Sequence, residues 1–293
     1  MTEANHTHIL SDGRKLGFME YGDPTGFPVF AFHGTPGSRI WFKEDEEISK
    51  ALGIQLITVD RPGFGISDQN AARTFLQFAD DICELSQFLN LNKFSVMGVS
   101  GGGAYSAACA YKYPDLIYKA GLISTTNQFE NGKPPKEMAF ANRMAFTLAK
   151  RFPRVIKYVL NQQKNTIEHN PDKYIESISK NTKHLCESDR EIIAVRENAE
   201  AVMIQMKEAF KNGVAGTVYE MRLYTREWGF DCTKIKVPVT LWHGSADTLV
   251  PISSAQELAR KIPDCDENYA EGKGHFLTDD EDIWRNILTS LKG

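Results

Sequence analysis

Apolar positions along the chain follow two rhythms. Short, nearly continuous apolar runs occupy residues 28–32, 54–59, 94–99, 120–123 and 237–242. Runs of that length and texture suit strands covered on both faces. Between them lie segments of helical length, the clearest carrying Phe75, Phe78, Ile82, Leu85 and Leu89 at spacings of three and four, an amphipathic stripe. At the start, residues 7–10 and 15–21 flank Ser11-Asp12-Gly13-Arg14, and Asp-Gly between extended runs predicts an antiparallel hairpin. Strands alternating with helices predict a mostly parallel α/β sheet, whose ligands gather at the carboxyl ends of the strands. From 127 to 212 the strand signal stops. That stretch is helix-rich, carries Met138, Phe140, Met144, Phe146, Met203, Met206 and Phe210, and is broken by Pro134-Pro135, Pro153 and Pro171. The pattern therefore predicts a helical insertion at 127–212 within one α/β unit formed by 1–126 and 213–293.

Composition narrows the partners. The 293 residues are 42% hydrophobic and 25% charged, enough for a sizeable core. Lysine and arginine number 34 against 38 acidic residues, a net charge of -4. Basic residues are densest from Lys150-Arg151 to Lys157 and read as a solvated helix face. No basic stripe for nucleic acid is present. The five cysteines, Cys83, Cys109, Cys186, Cys232 and Cys265, form no CxxC pair, so they are expected to be free thiols without a zinc site. The polar stretch 1–12 has no signal-peptide core, and no run of 18 apolar residues spans a membrane. A soluble, cytoplasmic protein is expected.

The chemistry concentrates in Gly98-Val99-Ser100-Gly101-Gly102. A serine between glycines at this spacing fits a tight strand-to-helix turn that projects the hydroxyl from the sheet, where flanking side chains would clash. Phe94 to Met97 reads as the incoming strand, and the alanine-rich stretch from Gly103 to Tyr111 as a closely packed helix ended by Pro114. Serine is a weak nucleophile near neutrality and needs a base, itself oriented by a carboxylate. Of seven histidines, His6 and His8 lie in the polar N-terminus, while His169 and His184 lie among polar neighbours in the insertion. These four read as solvated helix or loop residues. His33 and His243 each close a strand before glycine and read as structural. His275, in Gly272-Lys273-Gly274-His275-Phe276 before a final helix near Asp279, is the expected base.

The orienting acid belongs between serine and histidine in chain order. Asp247 directly follows an apolar strand, whereas residues 124–127 after the preceding strand contain no carboxylate. Asp279 and Asp280 are explained by helix capping. An acyl-transfer site also needs two oxyanion donors. The backbone N–H of Gly101 is one. The other is expected from His33-Gly34-Thr35-Pro36-Gly37, where Pro36 has no N–H and the Thr35 amide is the candidate.

With His33-Gly34-Thr35-Pro36-Gly37, Asp60-Arg61-Pro62-Gly63-Phe64-Gly65-Ile66-Ser67, the Ser100 turn, His243-Gly244-Ser245-Ala246-Asp247 and Gly274-His275 in this order, the chain resembles the serine branch of the α/β-hydrolase superfamily over essentially its full length. The resemblance implies an eight-stranded sheet flanked by helices, a helical cap at 127–212, and a structural role for the Asp60 segment. It implies a Ser100–His275–Asp247 hydrolase of an ester or related acyl bond, acting on a small molecule and needing no metal or organic cofactor. Dehalogenases and epoxide hydrolases of this fold use an aspartate at the Ser100 position, and proline iminopeptidases typically differ at Thr35 and Gly101. Amidases, lactonases, thioesterases, carbon–carbon bond hydrolases, cofactor-free haloperoxidases and a non-catalytic small-molecule receptor on this fold share the motifs.

Overall fold

A computed structural model describes residues 5–293, so the first part of the polar stretch 1–12 lies outside the described residues. Eight strands form one sheet: β1 (His6–Ile9), β2 (Lys15–Gly22), β3 (Phe27–Phe32), β4 (Ile54–Val59), β5 (Phe94–Val99), β6 (Ile117–Ile123), β7 (Val239–Gly244) and β8 (Cys265–Ala270). Their order across the sheet is β1-β2-β4-β3-β5-β6-β7-β8. The predicted hairpin is present, β1 and β2 pairing antiparallel, and β2 joins β4 antiparallel. All later pairings are parallel.

The apolar runs are buried because the sheet is covered on both faces. One face packs Phe30, Phe32, Val96 and Leu122 against helices that carry Phe78, Ile82, Ala104 and Ala108. The other packs Val29, Ala31, Met97 and Ile123 against Trp284, Ile287 and Leu288. Helices follow as α1 (Glu46–Ala51), α2 (Phe75–Phe88), α3 (Gly103–Lys112), α4 (Phe140–Arg151), α5 (Pro153–His169), α6 (Pro171–Lys180), α7 (Glu187–Ala194), α8 (Arg196–Ala209), α9 (Ala215–Tyr224), α10 (Ile252–Lys261) and α11 (Glu281–Ser290). The stripe predicted at Phe75 is α2, started by a reciprocal Thr74–Gln77 capping box. Pro153 and Pro171 stand at the predicted breaks, between α4 and α5 and between α5 and α6, each opening the second helix at its first turn, where a missing N–H costs nothing.

Between β6 and β7 the described chain forms helices α4 to α9. Ala149, Ile156, Leu160, Met206 and Phe210 bury a cluster of their own, joined by Val214 and Val218. Phe129 and Met138 pack instead with the sheet's cluster.

Two local expectations change, and one strand lies where no apolar run marked it. His6 and His8 belong to β1, not to a loop or helix, and stack on Phe18 and Phe88. The final helix starts at Glu281, after a short turn at Leu277–Asp279, with the Asp280 side chain capping Ile283 N. The eighth strand has no apolar run: Cys-Asp-Glu-Asn-Tyr-Ala lies at the sheet edge, with Asp266 and Glu267 exposed and the other four residues half-buried.

Candidate active site

β3, β5, β7 and β8 end on one edge of the sheet, and the loops leaving them carry Thr35, Ser100, Asp247 and His275. At the end of β5 the chain turns at once into a helical segment, and Ser100 takes φ 53° to make the turn. A non-glycine residue in the left-handed region is strained, so the turn must be held from outside. The Thr125 hydroxyl donates to Ser100 O at 2.8 Å, and Tyr224 Oη donates to Gly101 O at 2.7 Å. The neighbouring glycines reflect close approach: a Cβ on Gly98 would overlap the Gly102 carbonyl, and one on Gly102 would overlap Phe32 O.

Asp247 and His275 meet directly. His275 Nδ1 lies 2.8 Å from Asp247 Oδ2. A carboxylate only accepts, so Nδ1 carries a proton, and in the neutral ring the lone pair is on Nε2. The acid is itself held by its own loop, because Asp247 Oδ1 accepts from Leu249 N and Val250 N, both at 2.8 Å. Burial disfavours the imidazolium, but the Asp247 charge and hydrogen bond, with a further contribution from Asp189, raise the pKa of His275 above the ordinary histidine value.

Ser100 and His275 line one cavity of about 210 Å³, together with Thr35, Gly101, Phe129, Phe146, Tyr224 and Leu249 among others. The described residues lining it include no Asp or Glu. Of the Met and Phe residues noted in the insertion, Met138 and Phe146 face this cavity. Met206 and Phe210 are buried among the helices, and Phe140 and Met144 are exposed. Leu249 also lines a larger cavity of about 660 Å³, bounded by Trp41, Ile178 and Val202.

Thr35 and Gly101 are neighbours in space. A Cβ on Gly101 would run into Thr35 Oγ1 and come within 3.3 Å of Thr35 N. Behind them lies a buried polar cluster that motif reading did not find. Glu220, fully buried on α9, accepts from Thr35 Oγ1, from Arg61 Nε at 3.0 Å, from Arg73 Nη2 at 3.2 Å and from Tyr105 Oη at 2.8 Å. Arg61 also donates to His33 O and, at 3.0 Å, to Gly34 O. Burial opposes the charge on Glu220, but the two guanidinium groups outweigh it and hold its pKa below the usual carboxylate value. The turn after β3 is thus fixed by charge-assisted bonds. The one available signal was the placement of Glu220 among the apolar Val218, Met221 and Leu223.

Of the remaining candidates, His243 packs against the acid, its Nε2 3.5 Å from Asp247 Oδ2, and the others lie apart from this chemistry. His33 Nδ1 bonds Gly34 O at 2.8 Å, and His243 Nε2 lies 2.9 Å from Val250 O; both rings are buried, and burial lowers their pKa values. Asp60 is buried, ion-paired to Arg39 at 2.8 Å and hydrogen-bonded to Ile66 N at 2.8 Å. Asp280 pairs with Lys273 at 2.7 Å. The five cysteines are free thiols. Among the described residues no helix is long and apolar enough to cross a membrane.

Comparison with known proteins agrees with this architecture. Residues 28–282 match the family described as alpha/beta hydrolase fold. Lipase 3 of Moraxella sp. is 33% identical over 128 residues, which are 43% of this chain and 40% of the lipase. The chain thus spans less than half the length of the first curated relatives it matches. A putative proline iminopeptidase of Mycoplasma genitalium is 21% identical across 97% of this chain and 94% of its own. The structure of an esterase from Exiguobacterium antarcticum superposes with a TM-score of 0.71 at 19% identity, covering 98% of each chain. With its mostly parallel sheet, the turn at Ser100 and a family match across most of its length, this chain belongs to the alpha/beta hydrolase fold family.

Proposed function

We propose that the protein is a serine hydrolase that cleaves a small ester through an acyl-enzyme on Ser100. The observation that carries the reading is the His275 Nδ1 to Asp247 Oδ2 hydrogen bond of 2.8 Å beside a cavity that Ser100 also lines. With Nδ1–H committed to Asp247, Nε2 takes the Ser100 proton as Oγ attacks the carbonyl carbon. The developing oxyanion is received by the Gly101 and Thr35 amides, held rigid by Tyr224 and by the Arg61–Glu220 cluster. His275 then returns the proton to the departing alcohol oxygen, and water, activated by the same Nε2, releases the acid.

The cavity supports a substrate class. A space of about 210 Å³ faced by Phe129, Met138 and Phe146 suits a short apolar acyl group. Its described lining carries no carboxylate to receive a cationic amine, which favours a neutral ester over a peptide with a free amino terminus. Leu249 lines both this cavity and the larger one, which gives the alcohol portion a side on which to lie. The test is a series of p-nitrophenyl acetate, butyrate and octanoate. The short esters should show a burst and steady turnover that are lost in Ser100→Ala; turnover that survives this substitution contradicts the proposal.

A further inference from the structure

The helical insertion contributes one fully buried carboxylate, Asp189 in the first turn of α7. Its two oxygens reach across to the loop after β8: Oδ2 accepts from His275 N at 2.9 Å and Oδ1 from Phe276 N at 3.2 Å. A buried carboxylate is costly unless hydrogen-bonded, and buried backbone donors outside regular structure need partners equally. Each side therefore satisfies the other. The approach is close enough to dictate a neighbouring residue, since a Cβ on Gly274 would overlap the Asp189 carboxyl group. The glycine before His275 thus has a reason in the insertion as well as in its own loop.

His275 is therefore gripped at two places by two acids. Asp247 holds the ring through Nδ1, from the loop after β7. Asp189 holds the main chain, from a helix of the insertion, 86 positions earlier in the sequence. The ring's reach toward Ser100 depends on both, because backbone position sets where Nε2 lies once the Nδ1 bond is made.

We infer that Asp189 is a positioning residue through which the insertion fixes the catalytic base: proton transfer between Ser100 and His275 requires α7 to be seated on the His275–Phe276 backbone. The inference rests on the Ser100–His275–Asp247 reading above. It makes the insertion part of the machinery that sets turnover, in addition to a wall of the cavity.

Asp189→Asn keeps the shape but loses the charge, and Asp189→Ala removes both oxygens. In the full chain with p-nitrophenyl butyrate, both should lower kcat by roughly 10- to 100-fold, the scale of a small misplacement, while KM stays within about threefold. The acidic and basic groups facing His275 are Asp247, Asp189 and His243. Loss of the Asp189 charge should therefore move the acid limb of kcat/KM to lower pH, which a merely structural role would not do. Gly274→Ala disturbs the same contact without deleting the carboxylate and serves if the Asp189 variants fail to fold. It should lower kcat with KM held in the native background, and lower it little further beside Asp189→Ala. Asp189 variants within about twofold of wild type and with an unmoved acid limb overturn the inference, as does a harmless Gly274→Ala. If Ser100→Ala abolishes turnover while these variants behave as wild type, only the role of Asp189 falls. If turnover survives Ser100→Ala, the triad reading falls and takes this inference with it.

Discussion

Asp247 and His275 are 28 positions apart in sequence, yet Oδ2 of one and Nδ1 of the other lie 2.8 Å apart. The loop after β7 and the loop after β8 meet because those strands are parallel neighbours at the sheet edge. The other oxygen of Asp247 is spent on Leu249 N and Val250 N. The carboxylate therefore cannot rotate away from the imidazole without losing two bonds.

Asp247→Asn keeps the volume but replaces an acceptor by a group that can favour the wrong tautomer. Turnover should fall by about 10⁴-fold, the size of the comparable loss in a serine protease. Asp280→Asn should stay within a few-fold, because Asp280 caps α11 and pairs with Lys273. Steady-state kinetics with one ester at fixed pH compares them; an active Asp247→Asn would show that the wrong acid is assigned.

The pH dependence follows from the sign of the His275 shift. Asp247 and Asp189 hold its pKa above the ordinary value despite burial. A base must be neutral to act, so kcat/KM should fall in acid through a single ionisation lying above about 6.5, the unperturbed value. A profile that stays flat well below that pH would remove His275 from the role.

Glu220→Gln tests the support behind the turn after β3. It leaves the guanidinium groups of Arg61 and Arg73 buried without their counter-charge. Breaking a buried pair in this way costs about 3–5 kcal/mol, to be read from denaturant unfolding at neutral pH. The ionised form of Glu220 is the favoured one in the folded state. Its contribution is complete above the unfolded pKa of about 4.3 and fades as pH falls through the folded value. The gap between wild type and variant should therefore narrow in acid. A gap that is small at pH 7 or widens in acid would contradict the account.

What could be read in the sequence was what local pattern encodes. The buried strands β3 to β7 appear as apolar runs, and Ser100 is marked by the glycines its turn requires. β8 was illegible because an edge strand needs no apolar face, and Cys-Asp-Glu-Asn-Tyr-Ala looks like a loop. Asp189 was missed for a related reason. In Glu187-Ser188-Asp189-Arg190-Glu191 it reads as one acid of a solvated first turn, and its partners are backbone N–H groups that no side-chain pattern reveals. Glu220 was missed because its arginine partners stand 159 and 147 positions away.

A covalent acyl-enzyme on Ser100 is the intermediate on which the proposed mechanism turns, and it can be trapped. The protein is mixed with p-nitrophenyl butyrate, quenched in acid within the burst, digested and analysed by mass spectrometry. A single butyryl group is expected on the peptide containing Ser100, absent from Ser100→Ala. A butyryl group on another residue, or ester turnover with no acylated peptide at any quench time, would contradict the proposed mechanism.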